Sequence, residues 1–276
     1  MKKVHVVFFV LFGMVAAGCG GADKDGEKPN PKPVPDVTFA SIGGDKWPVG
    51  EAGISFDGLP RAPVGYTDYD VLDMADIIID WAKAATLDER VFHSDSPEAI
   101  VGATLPPYTR SRVIDDFNKQ TSPRISAANV FGDGVTIVGQ PRVTSEWKVT
   151  TTNEEGVNIP LLHVSLQTRA AFEVTGTTKG KRVIGIVRNF GLNSYGPNSA
   201  AGEYGNLWRI RISGVKGCSL AVEDALVPLA NAKNNRKKLD GFAALAGSDD
   251  FDDLDENEQS GKINEDLKKR CLDGAA

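Results

Sequence analysis

Few side chains in this sequence could do chemistry. His5 lies in an apolar opening run, which leaves His93 and His163 as the histidines to consider. His93 stands in a polar stretch, His93-Ser94-Asp95-Ser96, where a solvated or capping role is expected. His163 is followed six residues on by Arg169, both on the polar positions of a strand-like alternation. An imidazole facing a pocket can serve as a general acid or base; facing solvent it is a surface group. Leu162, Val164, Leu166 and Phe172 suit the buried side better, which turns His163 and Arg169 outward. These two are carried forward as polar residues of a pocket wall or of the surface. No His or Cys pair has metal-ligand spacing. Gly132-Asp133-Gly134 lacks the further glycines and the lysine of a phosphate-cradling loop. No Gly-x-Ser-x-Gly nucleophile turn occurs. Trp47, Trp81, Trp147 and Trp208 are scattered and read as core or pocket wall. With no nucleophile, metal set or acid–base set to assemble, no catalytic residue is assigned. The reading is a non-catalytic binding or interaction module for an unknown protein or small molecule. A pocket enzyme and a weak calcium-binding structural protein are the alternatives.

The C-terminal part holds the densest charge. Lys233 to Lys238 is a short basic patch, followed by Phe242 and Leu245. Seven acids then lie between Asp249 and Glu258 with no base among them. Asp255 and Asn257, with Gly261, Ile263 and Asp266, are similar to the calcium loops of EF-hand and dockerin proteins, which implies Asp255, Asn257 and Asp266 as calcium ligands. The register departs from that pattern: counted from Asp255, glycine is seventh rather than sixth, and position twelve is Asp266 rather than Glu. A solvated acidic linker is therefore the plainer reading, and calcium is the one cofactor kept in view. The whole chain carries 31 Lys+Arg against 37 Asp+Glu, a formal net charge of −6. That balance lacks the basic footprint a nucleic-acid binder needs.

The N-terminus places the protein. Lys2 and Lys3 precede a nearly continuous apolar run from Val4 to Ala17. The run is too short to cross a bilayer core of about 30 Å as a stable helix, but it has the length of a secretory h-region. It ends in Ala16-Ala17-Gly18-Cys19. This resembles the lipobox of bacterial lipoproteins, with Ala16 where that family more often has Leu. The resemblance implies removal of residues 1–18, diacylglycerol on the Cys19 thiol, and a cell-membrane, lipid-anchored, extracytoplasmic protein. Two or three acyl chains would give the lasting anchorage that a single chain does not. Loss of Lys2 and Lys3 would take the net charge to −8. Residues 19–36 are rich in Gly, Lys, Asp and Pro, with Pro29, Pro31, Pro33 and Pro35 alternating. Such a composition buries too little to order itself and suits an extended spacer of about 3 Å per residue. Cys218 and Cys271 are the cysteines left over. In an oxidising compartment they are expected to pair.

The elements that must position all of this change period once. Thr67 and Asp70 form a capping-box-like start. Val71, Met74, Ala75, Ile78, Trp81, Ala82 and Ala85 then recur at helical spacing. Ser96-Pro97-Glu98 predicts a short second helix closed by Pro106-Pro107, and Thr109 to Lys119 a third. From Val135 the period becomes two: Val135, Ile137, Val143, Trp147 and Val149 share one parity, with a bulge or edge expected at Gly139 and Pro141. Leu162 to Val174 alternates, and Arg182 to Phe190 is apolar on both parities, the mark of a central strand. Leu207 to Val215 predicts another strand, and Leu220 to Val227 a last one.

Helices followed by a four- to five-strand antiparallel meander make an α+β domain, expected over residues 37–229, with a helical and acidic extension over 230–276. Element order from Tyr66 to Leu229 is similar to the cone-shaped roll of the nuclear-transport-factor-like superfamily, which includes scytalone dehydratase and ketosteroid isomerase. That resemblance implies a pocket between sheet and helices. It implies no chemistry, because function sits in the site.

Overall fold

The computed structural model describes residues 35–152, 160–196, 204–240, 242 and 265–274. Helices α1 (Asp68–Leu87), α2 (Pro97–Gly102), α3 (Pro107–Asn118) and α4 (Pro123–Ala127) come first. Strands β1 (Thr136–Ile137), β2 (Arg142–Thr152), β3 (Leu161–Thr175), β4 (Arg182–Ser194) and β5 (Gly205–Ser213) follow, then α5 (Ala232–Lys238) and α6 (Glu265–Leu272). The chain is thus α+β, with one antiparallel sheet. Strands β3, β4 and β5 form a meander, and β1 and β2 both pair with the outer side of β3.

Each element has a local cause. Thr67 and Asp70 make the reciprocal capping box that opens α1. Every buried apolar residue predicted for α1 is buried. Pro107 is not a terminator of α2, as its position after Pro106 suggested; it is the first residue of α3, where its fixed φ and missing N–H cost nothing. The segment read as a last strand, Leu220 to Val227, also differs. Ser219–Glu223 winds into a π-helical turn, and Leu226 makes only a single parallel bridge to Phe131.

Even-numbered residues of β3 face the helices. Leu162, Val164, Leu166, Ala170, Phe172 and Val174 are buried there with Met74, Ile78 and Trp81 of α1. A side chain of this size contributes about 1.5–3 kcal/mol on full burial. Trp81 meets Phe190 edge-on at 5.2 Å, and Phe117 meets Trp208 at 4.9 Å. Tyr204, just before β5, donates its hydroxyl to Asp73 of α1 and accepts Thr109 of α3 on its carbonyl. Burial first, and Asp73 second, push its phenol pKa up.

The opposite face of the sheet carries a smaller core at one end. Val37, Ile42, Ala232, Leu239 and Phe242 pack on Ala171, Val183 and Val187. Gly185 of β4 is required here: a Cβ would lie 2.8 Å from the Phe242 ring. Buried Asn235 of α5 accepts the Val183 N–H and donates to the carbonyls of Val183 and Gly214, locking α5 to β4 and to the residue that follows β5.

Asp224 shows how distant segments are tied together. It sits in the left-handed region at φ 49° and accepts the N–H groups of Arg124 and Ile125 at 2.7 and 3.0 Å, capping α4 from across the chain. Burial is the main cause that raises its pKa. A carboxyl raised in the folded state holds its proton there more tightly than when unfolded. Its contribution to stability is complete below 3.8 and is lost as pH rises through the folded value. Asp224→Ala is expected to destabilise by about 2 kcal/mol, from the lost cap and the left-handed backbone together. Asp224→Asn keeps the left-handed backbone but only one of the two acceptor oxygens, because its amide nitrogen cannot accept the second N–H; it should lose less than the alanine variant while flattening the acid limb. Urea midpoints across the acid range check both; an unchanged acid limb in the Asn variant contradicts the assignment.

Candidate functional site

The void bounded by Trp81, Phe117, Ser126, Arg188, Phe190 and Trp208 has no room for a water molecule. Arg188 fills it. Its guanidinium is buried and donates to Asn129 Oδ1 at 2.9 Å and to the carbonyls of Ser126 at 3.0 Å and Ile125 at 2.6 Å. Both carbonyls belong to the last turn of α4, where helical C=O groups lack intrahelical partners. Desolvation pushes the Arg188 pKa down to about 9.

Open space lies instead at the broken edge of the sheet. Between Ile137 and Arg142 the edge holds four residues where β3 holds two, Phe172 and Glu173, so two residues bulge out. Gly139 supplies the left-handed backbone for that bulge at φ 69°. The turn before Gly50–Gly53 meets it: Gly50 N–H donates to Pro141 O, and Val49 bridges to Arg142. From the other side, Asp88 ends α1. Its carboxylate accepts the Arg90 backbone and side chain, a pairing that lowers its pKa. The turn this stabilises carries Phe92 beneath the gap, stacked edge-on against Phe131 at 5.3 Å and Phe172 at 5.9 Å.

The result is a cleft of about 740 Å³. Phe92 and Val135 are buried at its base, with Leu87 and Ile137 half-buried beside them. Glu51, Glu89, His93 and Gln140 stand exposed around it. Glu51 also pairs with Lys83 at 3.3 Å. The arrangement offers a small apolar base with acceptors and an imidazole around it, which suits a small ligand of mixed polarity bearing a donor or cationic group.

The residues singled out in the sequence lie elsewhere. His163 sits on the second sheet face, its Nδ1 2.5 Å from Asn193 Oδ1. Arg169 is buried on the same face, donates to Gln167 at 2.8 Å and has its pKa lowered by desolvation. Six residues of strand separate the two, about 20 Å, so the structure does not join them. Cys218 and Cys271 lie at disulfide distance, Sγ to Sγ 2.08 Å. Cys19, Asp255 and Asn257 fall outside the described residues, as does the side chain of Asp266. No group of metal-ligating side chains occurs among the described residues. Sequence reasoning missed the cleft because its walls come from residues 49–52, 87–93 and 135–141; the one local signal was the Gly139–Pro141 break. The chain matches no known family model, no curated protein and no solved structure.

Proposed function

We propose that this protein is a lipid-anchored, extracytoplasmic lipoprotein whose α+β domain is a non-catalytic binding module, with the cleft at the broken sheet edge as its ligand site. The order Lys2-Lys3, apolar run, Ala-Ala-Gly-Cys19 supports the anchor. The cleft supports the binding role: its volume of about 740 Å³ lies within the several-hundred-Å³ range of small-molecule sites. Its base is apolar, and the rim acids favour a ligand bearing a hydrogen-bond donor or a positive charge.

Two measurements test the two halves. Mass spectrometry of the native N-terminus should show an acylated cysteine; an unmodified start removes the anchor. Native mass spectrometry after mild detergent extraction should show a bound small molecule. In Ala52→Trp, which places an indole at an exposed cleft position, that ligand should be lost with the melting midpoint unchanged. Equal ligand retention in both proteins moves the binding site elsewhere.

A further inference from the structure

The end of the domain where the chain arrives from its N-terminal segment is also its basic end. Arg182, at the start of β4, gathers three segments by hydrogen bonds to the carbonyls of Pro35, Lys179 and Ala230. The N-terminal segment therefore enters beside the β3–β4 turn and the approach to α5. Gly214 to Lys216 joins this end through Leu229 N–H to Gly214 O and Lys216 N–H to Val227 O.

Helix α5 is two-sided. Ala232, Asn235 and Leu239 are buried against the sheet. Lys233, Arg236, Lys237 and Lys238 are all exposed, and among the described residues none of the four forms an ion pair. Lys179 and Lys216 are exposed on segments whose backbones are tied, through Arg182 and Val227, to the approach to α5. Among the described residues the exposed acids nearest along the chain are Asp240, two residues past Lys238, and Glu223, ten before Lys233; Asp36, also exposed, is held by the Lys181 N–H. Four cations spread around the exposed side of a short helix pinned by buried Asn235 make a positive surface.

We propose that this face of α5, with Lys179 and Lys216, docks on anionic lipid headgroups and so orients the domain on the membrane that holds its anchor. The orienting role rests on the reading of Cys19 as the lipid attachment site. Clusters of four or more Lys/Arg on an amphipathic helix bind anionic leaflets through additive attraction within a Debye length. An anchored tether that enters at the same end keeps that surface near the headgroups, so weak attraction acts at high local concentration. The cleft lined by His93 and Gln140 lies at the broken sheet edge and shares no lining residue with this surface.

The test uses the full mature chain, residues 19–276, carrying Cys19→Ser so that no acyl chain contributes. Binding is measured by flotation with phosphatidylcholine vesicles with and without phosphatidylglycerol. At about 0.1 M salt, partitioning onto the phosphatidylglycerol vesicles should exceed that onto phosphatidylcholine roughly tenfold and should fall as salt is raised. The variant Lys233→Gln/Arg236→Gln/Lys237→Gln/Lys238→Gln should drop to the phosphatidylcholine level with an unchanged melting midpoint, since all four side chains are exposed. Equal binding to the two vesicle types, or a quadruple variant that binds like its parent, overturns the proposal. So does binding that appears only when the acids between Asp249 and Glu258 are neutralised, because the cations would then serve the chain's own acidic segment. Failure of the anchor reading is seen separately, as an unmodified native N-terminus with α5-dependent binding intact.

Discussion

Arg188→Ala is expected to destabilise the domain by about 3–5 kcal/mol. Three acceptors, Asn129 Oδ1 and the carbonyls of Ser126 and Ile125, lose their donor in a space that admits no water. Each buried acceptor left unpaired costs about 1–3 kcal/mol, and the emptied volume adds a cavity term. Arg188→Met separates the two effects. It refills much of the space and removes the buried charge, whose desolvation is costly in its own right, so its loss should be the smaller. Urea denaturation with an unchanged slope checks both variants. A loss under about 1 kcal/mol for the alanine variant means that α4 and the α1–β4 packing do not depend on this guanidinium.

The second large effect is expected at Cys218 and Cys271. The pair spans 53 positions and fastens α6 to the π-helical turn after β5. The chain-entropy model assigns a loop of that length about 4 kcal/mol. Apart from the disulfide, α6 has Leu267 placed to pack against Gly217 and Lys268 attracting Asp224. In Cys218→Ser/Cys271→Ser, amide exchange should therefore become fast throughout α6 while β3 and β4 keep their relative protection. Equilibrium unfolding should lose about 3–4 kcal/mol. Two free thiols in the denatured mature protein, or full retention of α6 protection in the double variant, would sink the pairing as a stabilising link.

Much of the helical layer was legible because its signals are local. The spacing of Val71 to Ala85 reports a face that can be buried in one direction only, and Thr67 with Asp70 closes the first turn without help from distant residues. The alternation Leu162 to Val174 likewise fixed which side of β3 meets α1. The run Arg182 to Phe190 is apolar on both parities and forms the buried strand β4, but that pattern does not account for the charges inside it. Arg182 and Arg188 are buried because carbonyls from remote segments receive them, and no neighbour in sequence announces those carbonyls. Leu220 to Val227 has strand-like composition, but Asp224 is drawn to the α4 amides and bends the segment into a turn.

By itself, then, the sequence determined the α+β class and the faces of α1 and β3. Period and parity act over a few residues and are set by covalent geometry. The tertiary structure decided that the Arg188 guanidinium is buried against the end of α4, that an open cleft lies at the Gly139 break, and that Arg182 gathers Pro35 and Ala230 at the approach to α5. These depend on which distant segments meet. That choice is made by packing volume and by the pairing of buried polar groups, terms that no single stretch of sequence contains.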